Sequence, residues 1–137
     1  TSALRLAEER VRRSPDDGYA HLYQGTLAIL AGDFTNAIPP LTRALALTNA
    51  LPARVNRAFA YMQTGQLAEA EADYRALLRD HPADAQAWRG LAEIALRRQD
   101  TTAAIHYYEQ FLARARPDSP EARWVAGRLQ QLRAEGR

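Results

Sequence analysis

Apolar residues recur along this chain at helical spacing, and the spacing itself repeats. Within each repeat they lie three or four positions apart, as expected for one face of an amphipathic helix. The clearest period is 34 residues, and it relates Ala70, Tyr74 and Leu78 to Ala104, Tyr108 and Leu112. Because a fixed period of about 20 to 50 residues is typical of repeat architectures, the pattern predicts an all-α solenoid with no sheet.

A short break divides each repeat into two helical stretches. Gly32, Gly65 and Gln99 occupy the same place in these breaks. Glycine adopts the positive φ that a tight turn after a helix requires, whereas a residue with a side chain resists it. We therefore expect antiparallel helical hairpins, with some loss of stability at Gln99.

The period also predicts how the chain is organised. We expect one domain over 1–137, and Ser119 and Pro120 are a typical N-cap and first residue for its final helix. The apolar face of that helix is predicted at Ala122, Val125, Leu129 and Leu132. The predicted segments are a leading half-repeat at 1–17, repeats at 18–50, 51–84 and 85–118, and a closing helix at 119–137.

Two consecutive prolines interrupt the second helix of the first repeat. Pro39 and Pro40 each lack an amide donor, and a proline ring crowds the carbonyl one turn before it. We expect this helix to kink, or to begin its regular part only near Ala37.

The repeat resembles the tetratricopeptide repeat, a 34-residue unit of two antiparallel helices. The third repeat matches the signature at Trp88, Leu91, Ala92, Ala104, Tyr108 and Leu112, and the second at Ala58, Tyr61, Gly65, Ala70, Tyr74 and Pro82. The resemblance implies a superhelix of hairpins. It also implies that Trp88 meets Leu91, Ala104 and Tyr108 in the core of the third hairpin.

The chain departs from this signature at several large positions. The first two repeats replace the tryptophan and the first leucine of the signature, and the last two replace the alanine of the second helix. The substituted positions are His21, Arg54, Gln24, Arg57, Leu77 and Phe111. The small residues that let helices approach each other are retained, so these departures bear on packing rather than on the fold.

Composition and charge narrow the classes of function. The chain is 47% hydrophobic and 25% charged, as in globular proteins, and without cysteine it has neither disulfides nor a thiolate site. It contains no apolar run of about 18 residues, so we predict no membrane insertion. All 18 basic residues are arginine, a usage that favours a GC-rich bacterial source, and the formal net charge is +2. Because the arginines alternate with acids at helical spacing, we predict no nucleic-acid binding. The compartment is left open.

The sequence offers no catalytic constellation. His21, His81 and His106 lie far apart and have no carboxylate at ligand spacing, so we expect no metal site. Neither a nucleophile elbow nor a glycine-rich phosphate loop is present. Glu69 and Glu71 point to different faces of one helix, which argues against a shared-proton pair. We predict that the chain is not an enzyme and binds no cofactor.

The resemblance instead implies a binding surface, because the first helices of successive hairpins in this family line a concave groove. The predicted function is non-catalytic protein recognition, as a scaffold or adaptor that binds a peptide or a partner helix within a bacterial multiprotein assembly. The residues expected to bind the ligand are Tyr19, Tyr23, Asn56, Phe59, Met62, Arg89, Glu93 and Arg97.

Two alternatives stay open. Residues 18–50 carry one acid, Asp33, and one base, Arg43, so this apolar repeat would also suit a structural or oligomerisation module that joins copies of the chain. The second alternative rests on Asn56, Arg57 and Ala58, which resemble the middle repeat of carboxylate-clamp members that bind chaperone tails. The other clamp positions differ. A lysine and an asparagine are expected at Leu22 and Thr26, and a lysine and an arginine at Gln86 and Gly90.

Overall fold

The computed structural model describes residues 2–136, and these form eight α-helices and no strand. The chain divides after Asp73 into two compact units, called here the first and the second unit. In the first unit α2 packs against α3, α3 against α4, and α1 and α4 against α2; in the second, α6 packs against α7 and α7 against α8. The helices are α1 Ser2–Arg13, α2 Gly18–Leu30, α3 Phe34–Thr48, α4 Leu51–Gln63, α5 Leu67–Asp80, α6 Ala85–Arg97, α7 Thr101–Arg114 and α8 Pro120–Glu135. The predicted repeat boundaries and single domain stay a prediction.

Side chains cap the first turns of α2, α6 and α8. Asp17 accepts from the amide of Tyr19 at 3.0 Å at the start of α2, and Asp84 accepts from the amide of Gln86 at 3.0 Å at the start of α6. Ser119 caps α8 as predicted, since its hydroxyl accepts from the amide of Ala122 at 3.0 Å. The four apolar residues predicted for α8 are all buried. These caps satisfy amides that have no partner within the helix.

The three turns inside the hairpins share one geometry. Gly32, Gly65 and Gln99 have φ of 76°, 77° and 61°. The residue after each turn donates its amide to a carbonyl five residues back, at 2.9 Å from Asp33 to Ala28, 2.9 Å from Gln66 to Tyr61 and 2.8 Å from Asp100 to Ala95. This is the Schellman arrangement that ends a helix with a left-handed residue. The sequence alignment of the three turns is therefore confirmed, and Gln99 carries the conformation that glycine takes elsewhere.

Replacement of Gln99 by glycine is expected to stabilise the chain by about 0.5–1 kcal/mol, because it relieves a left-handed conformation that costs an L-residue about 1–2 kcal/mol. Urea unfolding of both proteins measures the change. The reverse replacement, Gly65→Gln, should destabilise by a similar amount, since no atom lies within 4 Å of an added Cβ at Gly65 and only its φ resists a side chain. A destabilised Gln99→Gly variant contradicts this interpretation of the turn.

The paired prolines do not delay α3, so the expectation of a late start near Ala37 is wrong. The helix runs from Phe34 to Thr48 with Pro39 and Pro40 inside it. Ala37, Leu41 and Ala44 are fully buried, and α3 packs along α2. This burial stabilises the helix although two backbone N–H donors are missing, because most helical stability in proteins comes from the packing of an apolar face.

An ionic cluster is buried in the first unit at positions where the family signature has apolar residues. Asp73 is 2% exposed and accepts from Arg57 at 2.8 Å (Nε to Oδ2) and 2.6 Å (Nη2 to Oδ1), and from Arg54 at 3.2 Å. Arg57 also donates to Thr42 at 3.2 Å and lies 5.6 Å from the ring of Tyr61. The hydrogen bond to Asp73 raises the pKa of Arg57. The cluster therefore satisfies charges that would be costly to bury alone.

The core of the second unit joins α6, α7 and α8 around Tyr108 and Phe111. Trp88 packs against this core from its edge and is only half-buried, so the expectation that it lies in the interior is met only in part. Phe111, at a position where the signature has alanine, fills interior volume and is 1% exposed. Among the described residues the hydroxyl of Tyr108 has no hydrogen-bond partner. Burial, and then the charge of Glu93, raise the pKa of Tyr108.

Candidate functional site

One face of the first unit exposes aromatic rings from two neighbouring helices. Tyr19, Tyr23 and Thr26 lie on one side of α2, because their spacing of four and three residues matches the helical turn. The Nδ2 of Asn56 on α4 donates to the Oγ1 of Thr26 at 3.3 Å, so the two helices meet at this point. Tyr19 is 60% exposed and Tyr23 is 45% exposed. We call Tyr19, Tyr23, Thr26, Asn56 and Phe59 the α2–α4 face.

Phe59 belongs to this exposed set, but Met62 does not. Phe59 is 42% exposed and its ring packs edge-on against Phe34, with centroids 5.6 Å apart. Met62 is 2% exposed. Its position on α4 turns the side chain into the interior, so the prediction that Met62 contacts a ligand is corrected: it is a core residue.

The three charged candidates of the second unit lie on α6 at intervals of four residues. Arg89 is engaged within the unit, since its Nη1 lies 2.8 Å from the Oε1 of Glu121 on α8 and its Nε lies 3.3 Å from the Oε1 of Glu93. Its guanidinium also lies 5.9 Å from the ring centroid of Trp124. Arg97 is exposed. Arg89 therefore helps to hold α8, a role that sequence reasoning missed because Glu121 is 32 residues away.

The positions that would form a carboxylate clamp have surroundings that do not suit the basic residues of such a clamp. Leu22 packs against the apolar core of the first unit, where the clamp would need a lysine. Gly90 lies against the ring of Tyr74, and an added Cβ would overlap that ring, so no arginine fits there. The side-chain Nε2 of Gln86 donates to the Oε1 of Glu121 at 2.9 Å.

The remaining polar candidates have structural surroundings. The Nε2 of buried His21 lies 2.8 Å from the carbonyl of Pro15, which joins α2 to the preceding turn. Over residues 2–136, no three histidine or acidic side chains cluster closely enough to hold a metal ion. Nor does any helix in that range have the length and apolar character needed to cross a membrane.

The repeated hairpins and their shared turns agree with a comparison against protein families. The tetratricopeptide repeat profile matches residues 1–52, 55–120 and 95–132, which together cover most of the sequence. The chain belongs to the tetratricopeptide repeat family. No curated protein matches it.

Solved structures of tetratricopeptide repeat proteins share the fold. A protein of this family from Parabacteroides merdae matches with a TM-score of 0.82 and 22% identity, over 98% of this chain and 54% of its own. YrrB, described as having an unusual peptide-binding site, matches with a TM-score of 0.83 and 21% identity, over 90% of this chain and 64% of its own. The first repeat domain of Spaghetti, bound to the HSP90 peptide SRMEEVD, matches with a TM-score of 0.75 and 21% identity, over 86% of this chain and 94% of its own.

These similarities confirm the predicted all-α solenoid of tetratricopeptide hairpins. Identities of 22% and 21% establish the fold alone. The chain spans less than two thirds of the length of the Parabacteroides merdae protein and of YrrB. The fold is one that supports protein–protein interaction.

Proposed function

We propose that this chain is a non-catalytic protein-recognition module that binds a peptide or a partner helix on the α2–α4 face. The observation that carries the proposal is the exposure of Tyr19, Tyr23 and Phe59 around the hydrogen bond between Asn56 and Thr26. Aromatic residues are enriched at binding hot spots because their large rings bury much area with few rotatable bonds. The asparagine and threonine supply polar atoms that can orient a backbone.

The charged side chains on α6 give the second unit a different preference. Glu93 and Arg97 are accessible, and they lie one turn apart on the same helix as Arg89. We assign them a role in selecting ligands by charge, since charges at the rim of an interface affect specificity and association rate more than affinity. The clamp alternative has little support, given the packing of Leu22 and Gly90.

The wider role is that of a scaffold or adaptor in a bacterial multiprotein assembly. Exclusive use of arginine among the 18 basic residues supports the bacterial source. A net charge of +2 supports a protein or peptide partner over a nucleic acid, since the latter is recognised through clustered cations. Two related structures bear on peptide recognition, since YrrB has a peptide-binding site and the Spaghetti domain holds an HSP90 peptide.

The double variant Tyr19→Ser/Tyr23→Ser tests this proposal. Peptides are first selected on the 137-residue chain from a random dodecapeptide phage library, and their affinities are then measured by titration calorimetry. We expect the double variant to weaken the selected peptides by about tenfold or more, as at aromatic hot spots. Its helical circular dichroism should not change, because both side chains are exposed.

The control is Leu6→Ser, which removes an equally exposed apolar side chain from α1 of the same unit. It should leave the affinities within about twofold. Equal affinity of the peptides for the double variant and the unchanged chain contradicts the proposal.

A structural or oligomerisation module is the second candidate. The observation that favours it is the exposure of Tyr19, Tyr23 and Leu30 in the repeat at 18–50, which carries only two charges. Sedimentation of the same variants separates the two functions. If the mass of the unchanged chain rises with concentration while the double variant stays monomeric, the result supports self-association through the exposed tyrosines of α2.

A further inference from the structure

The second unit contains a shallow depression of about 420 Å³ that is open to solvent and that the proposed function does not use. It is lined by Arg75, Leu78 and Arg79 from the C-terminal half of α5 and by Trp88 from α6. The three α5 residues share one helix face, because they lie three and four positions apart. We call these four residues the Arg79–Trp88 pocket. Its volume falls within the range of about 300–1,000 Å³ that is common for ligand sites.

The pocket is basic, and none of its lining residues is an acid. Across the described residues the side chain of Arg79 makes no hydrogen bond or ion pair, and it is exposed. The Nη2 of Arg75 donates to the hydroxyl of Tyr107 at 3.0 Å, which fixes its direction. An exposed arginine without a partner presents the fork of donors that best matches a carboxylate.

A third guanidinium lies over the indole of Trp88. The CZ carbon of Arg114 is 5.0 Å from the ring centroid, and the side chain donates to the carbonyl of Pro82 at 2.9 Å and to the side-chain oxygen of Gln110 at 2.8 Å. Both acceptors are uncharged, so its positive charge is not neutralised by them. Arg114 therefore places a further positive charge beside Trp88.

The other walls of the pocket are apolar. Leu78 and Trp88 are both half-buried. The indole N–H of Trp88 already donates to the carbonyl of Pro82 at 3.3 Å, and its ring packs against Tyr107 at 6.1 Å. The ring also packs edge-on against His106, with centroids 6.5 Å apart, so only the ring surface left open by these neighbours lines the pocket. The pocket thus combines the guanidinium of Arg79 with apolar side chains among its lining residues.

We propose that the Arg79–Trp88 pocket binds a short acidic peptide segment in which a carboxylate side chain adjoins a large apolar one. The carboxylate pairs with Arg79, and the apolar side chain packs between Leu78 and Trp88. A free inorganic anion would use only the first of these features. A nucleic acid needs cations along several phosphates, whereas the positive charge here is confined to one pocket.

The test follows the indole N–H signals of Trp88 and Trp124 by ¹⁵N NMR, assigned with a Trp124→Phe variant. The probe is the blocked pentapeptide acetyl-Ser-Glu-Leu-Glu-Ser-amide, titrated into the 137-residue chain. We expect a saturable shift of the Trp88 signal and none of the Trp124 signal. Arg79→Glu should weaken binding at least tenfold, and the peptide with glutamine in place of both glutamates should bind equally poorly.

Arg12→Glu is the matched control, since it makes the same charge change at an exposed arginine of α1. It should leave the affinity within twofold and so remove net charge as the cause. The proposal is overturned if the Trp88 signal shows no saturable shift, if the shift is confined to Trp124, or if Arg79→Glu binds as well as Arg12→Glu. Inorganic phosphate or a thymidine decanucleotide that binds as tightly as the peptide also overturns it.

This test is independent of the proposed function. The Tyr19→Ser/Tyr23→Ser variant keeps all four residues of the Arg79–Trp88 pocket, so it should bind the pentapeptide unchanged. Loss of the pentapeptide site with Arg79→Glu would likewise leave peptides of the α2–α4 face in place.

Discussion

Replacement of Asp73 by alanine is expected to lower the free energy of unfolding by about 3 kcal/mol. The substitution leaves Arg54 and Arg57 half-buried without their carboxylate, and breaking a buried ion pair from one side costs about 3–5 kcal/mol. We expect the lower end of this range because the two arginine side chains keep 23% and 16% of their exposure to water. Urea unfolding monitored by circular dichroism measures the loss.

A second set of substitutions separates the charge from the packing. In the triple variant Arg54→Trp/Arg57→Leu/Asp73→Ala, the first two positions carry the residues of the family signature and no charge remains buried. Stability should return to within about 1 kcal/mol of the unchanged chain, because apolar replacement of a buried ionic cluster is often neutral or stabilising. If Asp73→Ala alone lowers the free energy of unfolding by less than about 1 kcal/mol, the ionic cluster contributes little to stability.

Gly90→Leu is expected to destabilise the second unit by about 3 kcal/mol or more. Gly90 is buried on α6, and a Cβ at this position would overlap the ring of Tyr74, which is itself buried. Inserting atoms into a packed interior costs about 1–3 kcal/mol, occasionally more, and leucine adds three carbons beyond the Cβ. Thermal unfolding should show the loss as a lower midpoint.

Gly127→Leu is the matched control for this prediction. Gly127 lies inside α8, and no atom comes within 4 Å of an added Cβ there. The same substitution should therefore stabilise the chain by about 0.5–1 kcal/mol, since glycine is a poor helix former. A Gly90→Leu variant as stable as Gly127→Leu would contradict the close contact between α6 and Tyr74.

The sequence predicts this fold well because its repeat is a local signal. The period of 34 residues places the helices and turns, and Gln99 adopts the conformation expected from its alignment with Gly32 and Gly65. Pro39 and Pro40 show the limit of local reasoning. Each lacks a backbone N–H donor, yet α3 continues through them because the helix is packed along α2.

The candidate residues depend more strongly on contacts between distant positions. Helical periodicity alone did not separate Phe59, which is exposed, from Met62, which is buried. The pairing of Arg89 with Glu121 joins residues 32 positions apart. The cluster at Asp73 had a signal that could have been used, since two arginines replace apolar signature residues on one helix and require an acid nearby.

The contact between Arg89 and Glu121 has a consequence for any acidic ligand that reaches α6. An external carboxylate meets a competitor carried by the same chain, 2.8 Å from the guanidinium. A tethered group of this kind acts at an effective concentration on the order of millimolar. We therefore expect a ligand with a single carboxylate to displace Glu121 less readily than a ligand that makes further contacts. On this expectation Glu121 would favour ligands with several contacts over ligands that bind Arg89 through a carboxylate alone.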